Sequence, residues 1–599
     1  MSLKLFENSN AALQTWLRAL EMTGHISKNP SITFPALIES LADRFGTAPA
    51  LLADRECMTY RALAARCNRY ARWALKQGLA TGEVVCLLMP NCPEYMAIWL
   101  GITRIGGIVS LINTNLVGSQ LAHSINIAKP KHIIVGSELA DTLAAVIPQL
   151  ASGVRYWVHG PRGNHGFRRI DHEIRCSADD RLHSAEYQPP SITNPALYIY
   201  TSGTTGLPKA AKVSHFRLMQ WSHWFAGMLD TRPTDRMYNC LPMYHSIGGV
   251  VATGATLVNG GSVVLRERFS TSRFWDDVID WNCTLFQFIG ELCRYLVNSR
   301  PHPRETNHQL RLCCGNGLRP DIWQVFQHRF RIPQILEFYA ATEGTFSLYN
   351  CEGKPGAIGR IPFFIAHRFP VALVKFDLDT GDPVRNKEGF CLRCCVNEVG
   401  EAIGKIPDSG SRLGSRFEGY TDEEASDNKV LRSVFADGDA WFRTGDLMRK
   451  DENGYFYFVD RVGDTFRWKG ENVSTTEVSD TVSGYRCVIE AVVYGVTIPG
   501  TEGRAGMAAV VVSQDFDLIG FRRHLAERLP EYARPLFLRV RDAIEVTATF
   551  KPKKQELARD GYDPAVTADA IYFNDRLREA FVRLDAALYE RIQTGNVDL

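Results

Sequence analysis

Between Tyr200 and Lys209 the chain reads Tyr-Thr-Ser-Gly-Thr-Thr-Gly-Leu-Pro-Lys, a segment rich in aliphatic hydroxyls and glycine that ends in a positive charge. Such a segment suits phosphate. Glycines let the backbone aim its amides at an anion, hydroxyls donate further hydrogen bonds, and the lysine adds charge. Thr201, Ser202, Gly203, Thr204, Thr205, Gly206 and Lys209 are therefore the candidate phosphate-binding residues. The run Ala196–Tyr200 ahead of them has the aromatic and β-branched content of a buried strand, which predicts that the hydroxyl-rich stretch is the loop leaving it. Gly203 and Gly206 are three apart and no Gly-Lys-Ser/Thr follows, so the pattern is not that of a P-loop NTPase.

The segment Thr201–Lys209 resembles the signature loop of the adenylate-forming enzymes, which include acyl-CoA synthetases, adenylation domains and luciferases. Further stretches fit the same family in the same order. Tyr339-Ala340-Ala341-Thr342-Glu343 resembles its Y-x-x-T-E segment, Trp441-Phe442-Arg443-Thr444-Gly445-Asp446 its W-x-x-T-G-D segment, and Asp460 to Ser474 its hinge segment. The wording of that last stretch, together with Leu241–Ser246, Cys314–Pro320 and Thr547–Lys551, is similar to one branch, the fatty acid transport proteins or very-long-chain acyl-CoA synthetases.

The resemblance implies a two-step reaction. A carboxylate first attacks the α-phosphorus of ATP, releasing pyrophosphate; the thiol of coenzyme A then displaces AMP from the acyl-AMP. Positioning and charge stabilisation carry both steps. On this reading Thr201 to Lys209 cradle the β- and γ-phosphates, and Glu343 is the candidate Mg²⁺ ligand, since one carboxylate with phosphate oxygens and waters suits that ion. Thr342 is expected to bond the α-phosphate, Tyr339 to stack on adenine, Gly315-Asn316-Gly317 to pass close to the base, and Asp446 with Arg461 to hold the ribose. Lys551 resembles the C-terminal lysine that enters the site during adenylation. Phe550 stands where the family usually has glycine, so Lys553 and Lys554 stay open as alternatives. Gly463 occupies a hinge position where many members carry Asp or Lys, and Lys469-Gly470 is expected at the pantetheine channel after rotation. His245 is read as a positioning residue near the carboxylate. Gly248, in the small-residue run Ser246–Ala252, is read as leaving room for the acyl chain, with Trp221 and Trp224 as tunnel walls or core.

The 599 residues exceed what one core supports. Strand and helix patterns alternate through the first part of the chain (Ala62–Leu75, Val84–Met89, Glu94–Ile105, His132–Val135), and strands follow at Ala372–Phe376 and Gly389–Cys394. The expected fold is α/β: a large N-terminal region of layered α/β subdomains with a β-rich subdomain (1–460), a hinge at 461–464, and a small mobile α+β domain (465–599). With 68 basic and 66 acidic residues, nothing favours nucleic acid as a partner. The early residues lack the pattern of a signal peptide, the longest uncharged window, Ser246–Leu265, is too polar to span a bilayer, and fifteen cysteines read as reduced thiols. The expected location is cytoplasmic, and the amphipathic set Leu13, Trp16, Leu17 and Leu20 offers either peripheral contact with the inner face of a membrane or packing on its own domain. The expected activity is a CoA ligase for long or very long fatty acids. The alternatives are a ligase for another hydrophobic acid, such as a sterol side-chain or aryl acid, and a fatty-acid uptake protein. Oligomeric state leaves no mark on the sequence.

Overall fold

The computed structural model describes residues 2–161, 165–202, 208–377, 380–407, 417–469, 471–501, 503–547 and 552–597, with backbone alone for 2–10, Ser202, Asn472 and Gln555. It is α/β, and it divides into two compact units: Met1–Pro370 with Gly404–Leu431 and Ala440–Phe442, and Val371–Ile403 with Arg432–Asp439 and Arg443–Leu599.

The first unit holds two sheets. In one, the strands lie in the order Arg168–Arg169, Arg155–His159, His132–Gly136, Val84–Leu88, Ile108–Leu111, Pro195–Ser202 and Pro208–Ser214, all parallel except the last pair. Val84–Leu88, Ile108–Leu111 and His132–Gly136 are buried at every residue, which is why they read as unbroken apolar runs rather than alternating ones. The other sheet has a parallel centre of Ile335–Ala340, Leu312–Asn316, Leu285–Ile289, Arg236–Asn239 and Ser262–Leu265. Ligands of such sheets bind beyond the carboxyl ends of the strands; Asn316 ends Leu312–Asn316 and Tyr339 lies near the end of Ile335–Ala340.

The N-terminal helix Ser2–Thr23 packs on the helix His215–Leu229. A Cβ on Gly227 would lie 2.5 Å from the Ala19 Cα, and Arg18 Nε donates to the Gly227 carbonyl at 2.7 Å. Ala12, Trp16 and Ala19 face inward, with Trp16 edge-on to Trp224 at 5.7 Å, so the Trp at this spacing is core; Leu13 and Leu17 stay 39% and 44% exposed. Among the described residues no helix is long and apolar enough to cross a membrane.

The second unit contains a five-stranded sheet, Val488–Val496, Ala505–Val512, Phe537–Arg541, Ala570–Asp575 and Ala580–Arg583 in that order. Helices Thr475–Ser483, Leu518–Arg528, Lys554–Asp560 and Ala586–Gln593 accompany it. Their apolar core runs from Phe466 to Ile592. The segment Gly389–Cys394, expected as a strand, makes only isolated bridges, Arg385 with Cys391 and Val374 with Arg393. Cys391 is buried, Cys394 intermediate and the following Cys395 exposed, and no group of metal-ligating side chains occurs among the described residues.

Candidate active site

Thr201 and Ser202 continue the strand rather than belonging to a loop after it. Pro195–Ser202 runs out and Pro208–Ser214 returns, with Thr201 opposite Lys209 and Ser202 opposite Pro208. The strand outlasts its expected end at Tyr200 because Thr201 and Ser202 still have a partner to pair with, and tertiary pairing decides strand ends more than composition does. Tyr200 anchors it: the buried hydroxyl donates to the Ser124 carbonyl at 2.6 Å and lies 2.7 Å from Ser110 Oγ. Gly203, Thr204, Thr205 and Gly206 lie outside the described residues.

A third segment lies along the returning strand. Lys212 N donates to the Gly419 carbonyl at 3.0 Å, Thr421 N donates to the Ala210 carbonyl at 2.9 Å, and Ala211 bridges Tyr420. This register brings the Tyr420 hydroxyl to Glu343 Oε1 at 2.6 Å, as donor, and into a hydrogen bond with the Thr201 side chain. The Lys209 ammonium sits 6.0 Å from the centre of the Tyr420 ring, at the limit of a cation–π contact. Burial, reinforced by the neighbouring Glu343 carboxylate, pushes the Tyr420 hydroxyl far above its ordinary range, so it stays a neutral donor. Tyr420 thus joins Thr201, Lys209 and Glu343, which are far apart in sequence. Sequence reasoning missed it, since a tyrosine after Glu418-Gly419 carries no motif of its own.

Glu343 follows the strand Ile335–Ala340 in a tight turn closed by Gly344 N to the Ala341 carbonyl at 2.9 Å. It is buried. With one oxygen engaged by Tyr420, it offers a cation a single protein carboxylate, a donor set that fits Mg²⁺ only when phosphate oxygens complete the shell. The carbonyl of Thr342 accepts from Arg217 Nη1 at 2.6 Å, and Thr342 Oγ1 lies 3.2 Å from Ser246 Oγ. Arg217 is itself held 3.8 Å from Glu418, which accepts from Ser214 N and Oγ at 2.7 and 2.6 Å. The helix carrying Arg217 and the Tyr420 segment are tied together in this way. Tyr339 is half-buried, its ring 5.9 Å from Phe346.

The neighbouring strand ends at Asn316. Gly315 lacks a side chain for a packing reason, since a Cβ there would meet the Phe288 carbonyl at 2.2 Å. Gly317 takes φ +77° and donates its N–H to Glu337 Oε1 at 2.6 Å, with Leu318 N at 3.2 Å. Burial raises the Glu337 carboxyl to about 8, against the opposing pull of these two N–H groups. Glu337, a second residue with no role legible in the sequence, sets the turn after Asn316.

Asn91 grips the segment before His245 from the other sheet: its amide donates to the carbonyls of Leu241 and Arg266 at 2.8 and 3.0 Å, and its oxygen accepts from Met243 N at 2.8 Å. Asn115 Nδ2 donates to the Tyr244 hydroxyl at 3.1 Å. His245, half-buried against Tyr244 with ring centres 4.6 Å apart, is followed by a π-helical turn, Ile247–Ala252. Cβ atoms on Gly248 and Gly249 would fall 2.5 and 2.0 Å from the carbonyls of Pro242 and Met243. The space left by these glycines is filled by backbone, not held open. A π-turn at such a place is common in functional sites.

In the second unit Asp446 and Arg461 are register partners on adjacent antiparallel strands, Ala440–Lys450 and Tyr455–Arg461, with Arg461 Nε 3.3 Å from Asp446 Oδ1. The strand ahead of Asp446 is fixed by Glu401, fully buried, which pairs with Arg443 at 2.9 Å and accepts from Gly445 N at 3.2 Å. Gly470 and Lys551 lie outside the described residues. Lys553 pairs with Glu545 at 3.0 Å, and Lys554 donates to Asp464 Oδ2 at 3.1 Å and to Thr475 Oγ1 at 2.8 Å.

These features are those of an AMP-binding enzyme, and the comparisons agree. Residues 38–389 match the AMP-binding enzyme family and 477–551 match the AMP-binding enzyme C-terminal domain. The chain belongs to this family. Within it, the chain is 38% identical to long-chain fatty acid transport protein 1 of Mus musculus over 587 residues, covering 97% of this chain and 90% of that one. It is 37% identical to long-chain fatty acid transport protein 2 of Rattus norvegicus over 599 residues, covering 98% and 95%. The fold matches an anthranilate CoA ligase in complex with anthranoyl-AMP (TM-score 0.75, 20% identity, 88% of this chain and 97% of that one). It also matches a Mycobacterium tuberculosis fatty acyl CoA synthetase (TM-score 0.61, 22% identity, 88% and 98%).

Proposed function

We propose that this enzyme is an AMP-forming ligase that activates long-chain or very-long-chain fatty acids with ATP and transfers the acyl group to coenzyme A. The observation that carries the reading is the Tyr420-centred constellation, which sets a cation, two hydroxyls and one buried carboxylate together at the carboxyl end of a parallel sheet. Lys209 and Thr201 bind the β- and γ-phosphates with the intervening Ser202 to Gly206. Glu343, oriented by Tyr420, holds Mg²⁺, which when bound neutralises charge on the phosphate oxygens. Thr342, fixed through its carbonyl by Arg217, presents its hydroxyl to the α-phosphate. Tyr339 and Gly315-Asn316-Gly317 take the adenine, Asp446 and Arg461 the ribose, and His245 the acid. Lys551 serves adenylation, as the resemblance of Thr547–Lys551 implies, while Lys554 is engaged by Asp464 and Thr475. The mobile domain is 465–599, turning on 461–464; an apolar core drawn wholly from Phe466 to Ile592 supports its independence. After the turn Gly470 faces the pantetheine arm. The protein works at the cytoplasmic side, with contact at a membrane surface through Leu13 and Leu17.

The relatives' printed names give a second reading, fatty-acid transport, in which uptake does not depend on turnover. Purified protein given ATP, Mg²⁺, coenzyme A and fatty acids of graded length separates the two. The ligase yields acyl-CoA with a maximum at long chains, and Lys209→Ala lowers it about 10²–10³-fold. Uptake by cells that survives this substitution unchanged, with no thioester from the wild type, favours transport.

A further inference from the structure

We propose that Lys554 is a positioning residue, closing a ring of hydrogen bonds around the segment 461–464; this rests on the ligase reading above. Asp460, the last residue before that segment, is buried at 1% exposure. Its carboxylate accepts from Thr475 N at 2.6 Å, from Thr475 Oγ1 at 3.0 Å and from Arg461 N at 2.9 Å. Ser474 Oγ adds a bond to the Val459 carbonyl at 3.0 Å. Lys554 Nζ then donates to the same Thr475 hydroxyl at 2.8 Å and to Asp464 Oδ2, on the far side of the segment, at 3.1 Å. The ring therefore runs from Asp460 through Thr475 and Lys554 to Asp464, and the chain 461–464 closes it.

Two consequences follow. Thr475 has one hydroxyl proton; with Lys554 donating to its oxygen, that proton points at Asp460, and the ammonium strengthens the bond through the hydroxyl. A large backbone change in 461–464, where Gly463 already takes φ +94°, parts Asp460 from Thr475 and strips a buried carboxylate of two of its donors. Lys554 thus sets how strongly one arrangement of this segment is held. Lys554 N also donates to the Pro552 carbonyl at 3.0 Å, beside the bridge of Val546 with Pro552 and the bond of Lys553 N to the Glu545 carbonyl at 3.0 Å. Lys551, to which adenylation is assigned above, stands three residues before Lys554 in the sequence, so adenylation is the half-reaction that depends on the ring. The Lys553–Glu545 pair is exposed and carries little weight by comparison.

The test uses the full-length protein with Lys554→Met, Lys554→Arg, Asp464→Asn and the Lys554→Met/Asp464→Asn double variant. Acid-dependent ATP–pyrophosphate exchange without coenzyme A reads the first half-reaction, and thioester formation from supplied acyl-AMP and coenzyme A reads the second. Lys554→Met is expected to lower exchange about tenfold relative to transfer, the loss of one charge-assisted contact. Lys554→Arg keeps the ratio within about threefold, and the double variant is no worse than Lys554→Met because both remove the same contact. Equal loss in both half-reactions, which a merely structural lysine gives, overturns the proposal; so does an unchanged ratio, or a selective loss of transfer. A wild type inactive in both assays instead overturns the ligase reading.

Discussion

The two units hold their candidate residues in different ways. In the first, Glu343 and Tyr420 are buried, sit at or beside strand ends, and are fixed by a neutral hydroxyl on a carboxylate and by backbone pairing. In the second, Asp446 meets an Arg461 whose side chain is 48% exposed, and charged side chains bracket a segment containing a glycine at positive φ. Buried, strand-borne groups keep their geometry and suit charge stabilisation; half-exposed pairs are weaker and suit an arrangement that must be released. On the proposed function the first set stabilises charge on the phosphates, and the second joins a ribose contact to a segment that turns.

Substitutions that probe this contrast are ordered by expected effect. Glu343→Ala removes the carboxylate proposed to hold the cation and is expected to lower kcat about 10²–10³-fold, with raised Mg²⁺ dependence; a mild loss breaks the contrast at its strongest point. Tyr420→Phe removes the donor to Glu343 and the partner of Thr201, but leaves the ring beneath Lys209. It should cost about tenfold in kcat/KM for ATP, and a wild-type value shows that the hairpin and Glu343 align without it. Arg461→Ala, at an exposed pair, should raise the KM for ATP about threefold with little change in stability on thermal melting. An effect as large as that of Tyr420→Phe puts the two units on an equal footing.

Glu337 sharpens the comparison through pH. Its carboxyl titrates near 8 in the folded state, above the unfolded value of 4.5, so the native protein keeps a proton that the unfolded chain releases. Its stabilising part is complete below about pH 4.5 and is lost as pH rises towards 8. Glu337→Gln keeps an acceptor for Gly317 and Leu318 but cannot ionise. Melting temperatures at pH 5, 6.5 and 8 should fall less steeply for the variant than for the wild type, and parallel profiles contradict the assignment.

Much of this was legible in the sequence for identifiable reasons. Buried parallel strands such as Val84–Leu88 and His132–Gly136 announce themselves as apolar runs, and the motif segments carry Lys209, Thr342, Glu343, Asp446 and Arg461 in one chain order. What was not legible depends on register and on contacts across the fold. The hairpin partner of Thr201 is set by pairing, Tyr420 reaches Glu343 only because its segment lies along Pro208–Ser214, and Gly248 serves a close approach to Pro242 that spacing does not reveal. The helix Ser2–Thr23 shows the same limit: Trp16 turns inward with Ala12 and Ala19, while Leu13 and Leu17 of the same apolar set turn out.

Isotope exchange between pyrophosphate and ATP in the absence of coenzyme A, with a long-chain fatty acid and Mg²⁺ present, tests the ligase most directly. An AMP-forming fatty-acid ligase gives exchange that requires the acid, rises with chain length to a maximum, and disappears in Glu343→Ala. Exchange that ignores the acid, or cleavage of ATP to ADP and phosphate instead, contradicts that activity.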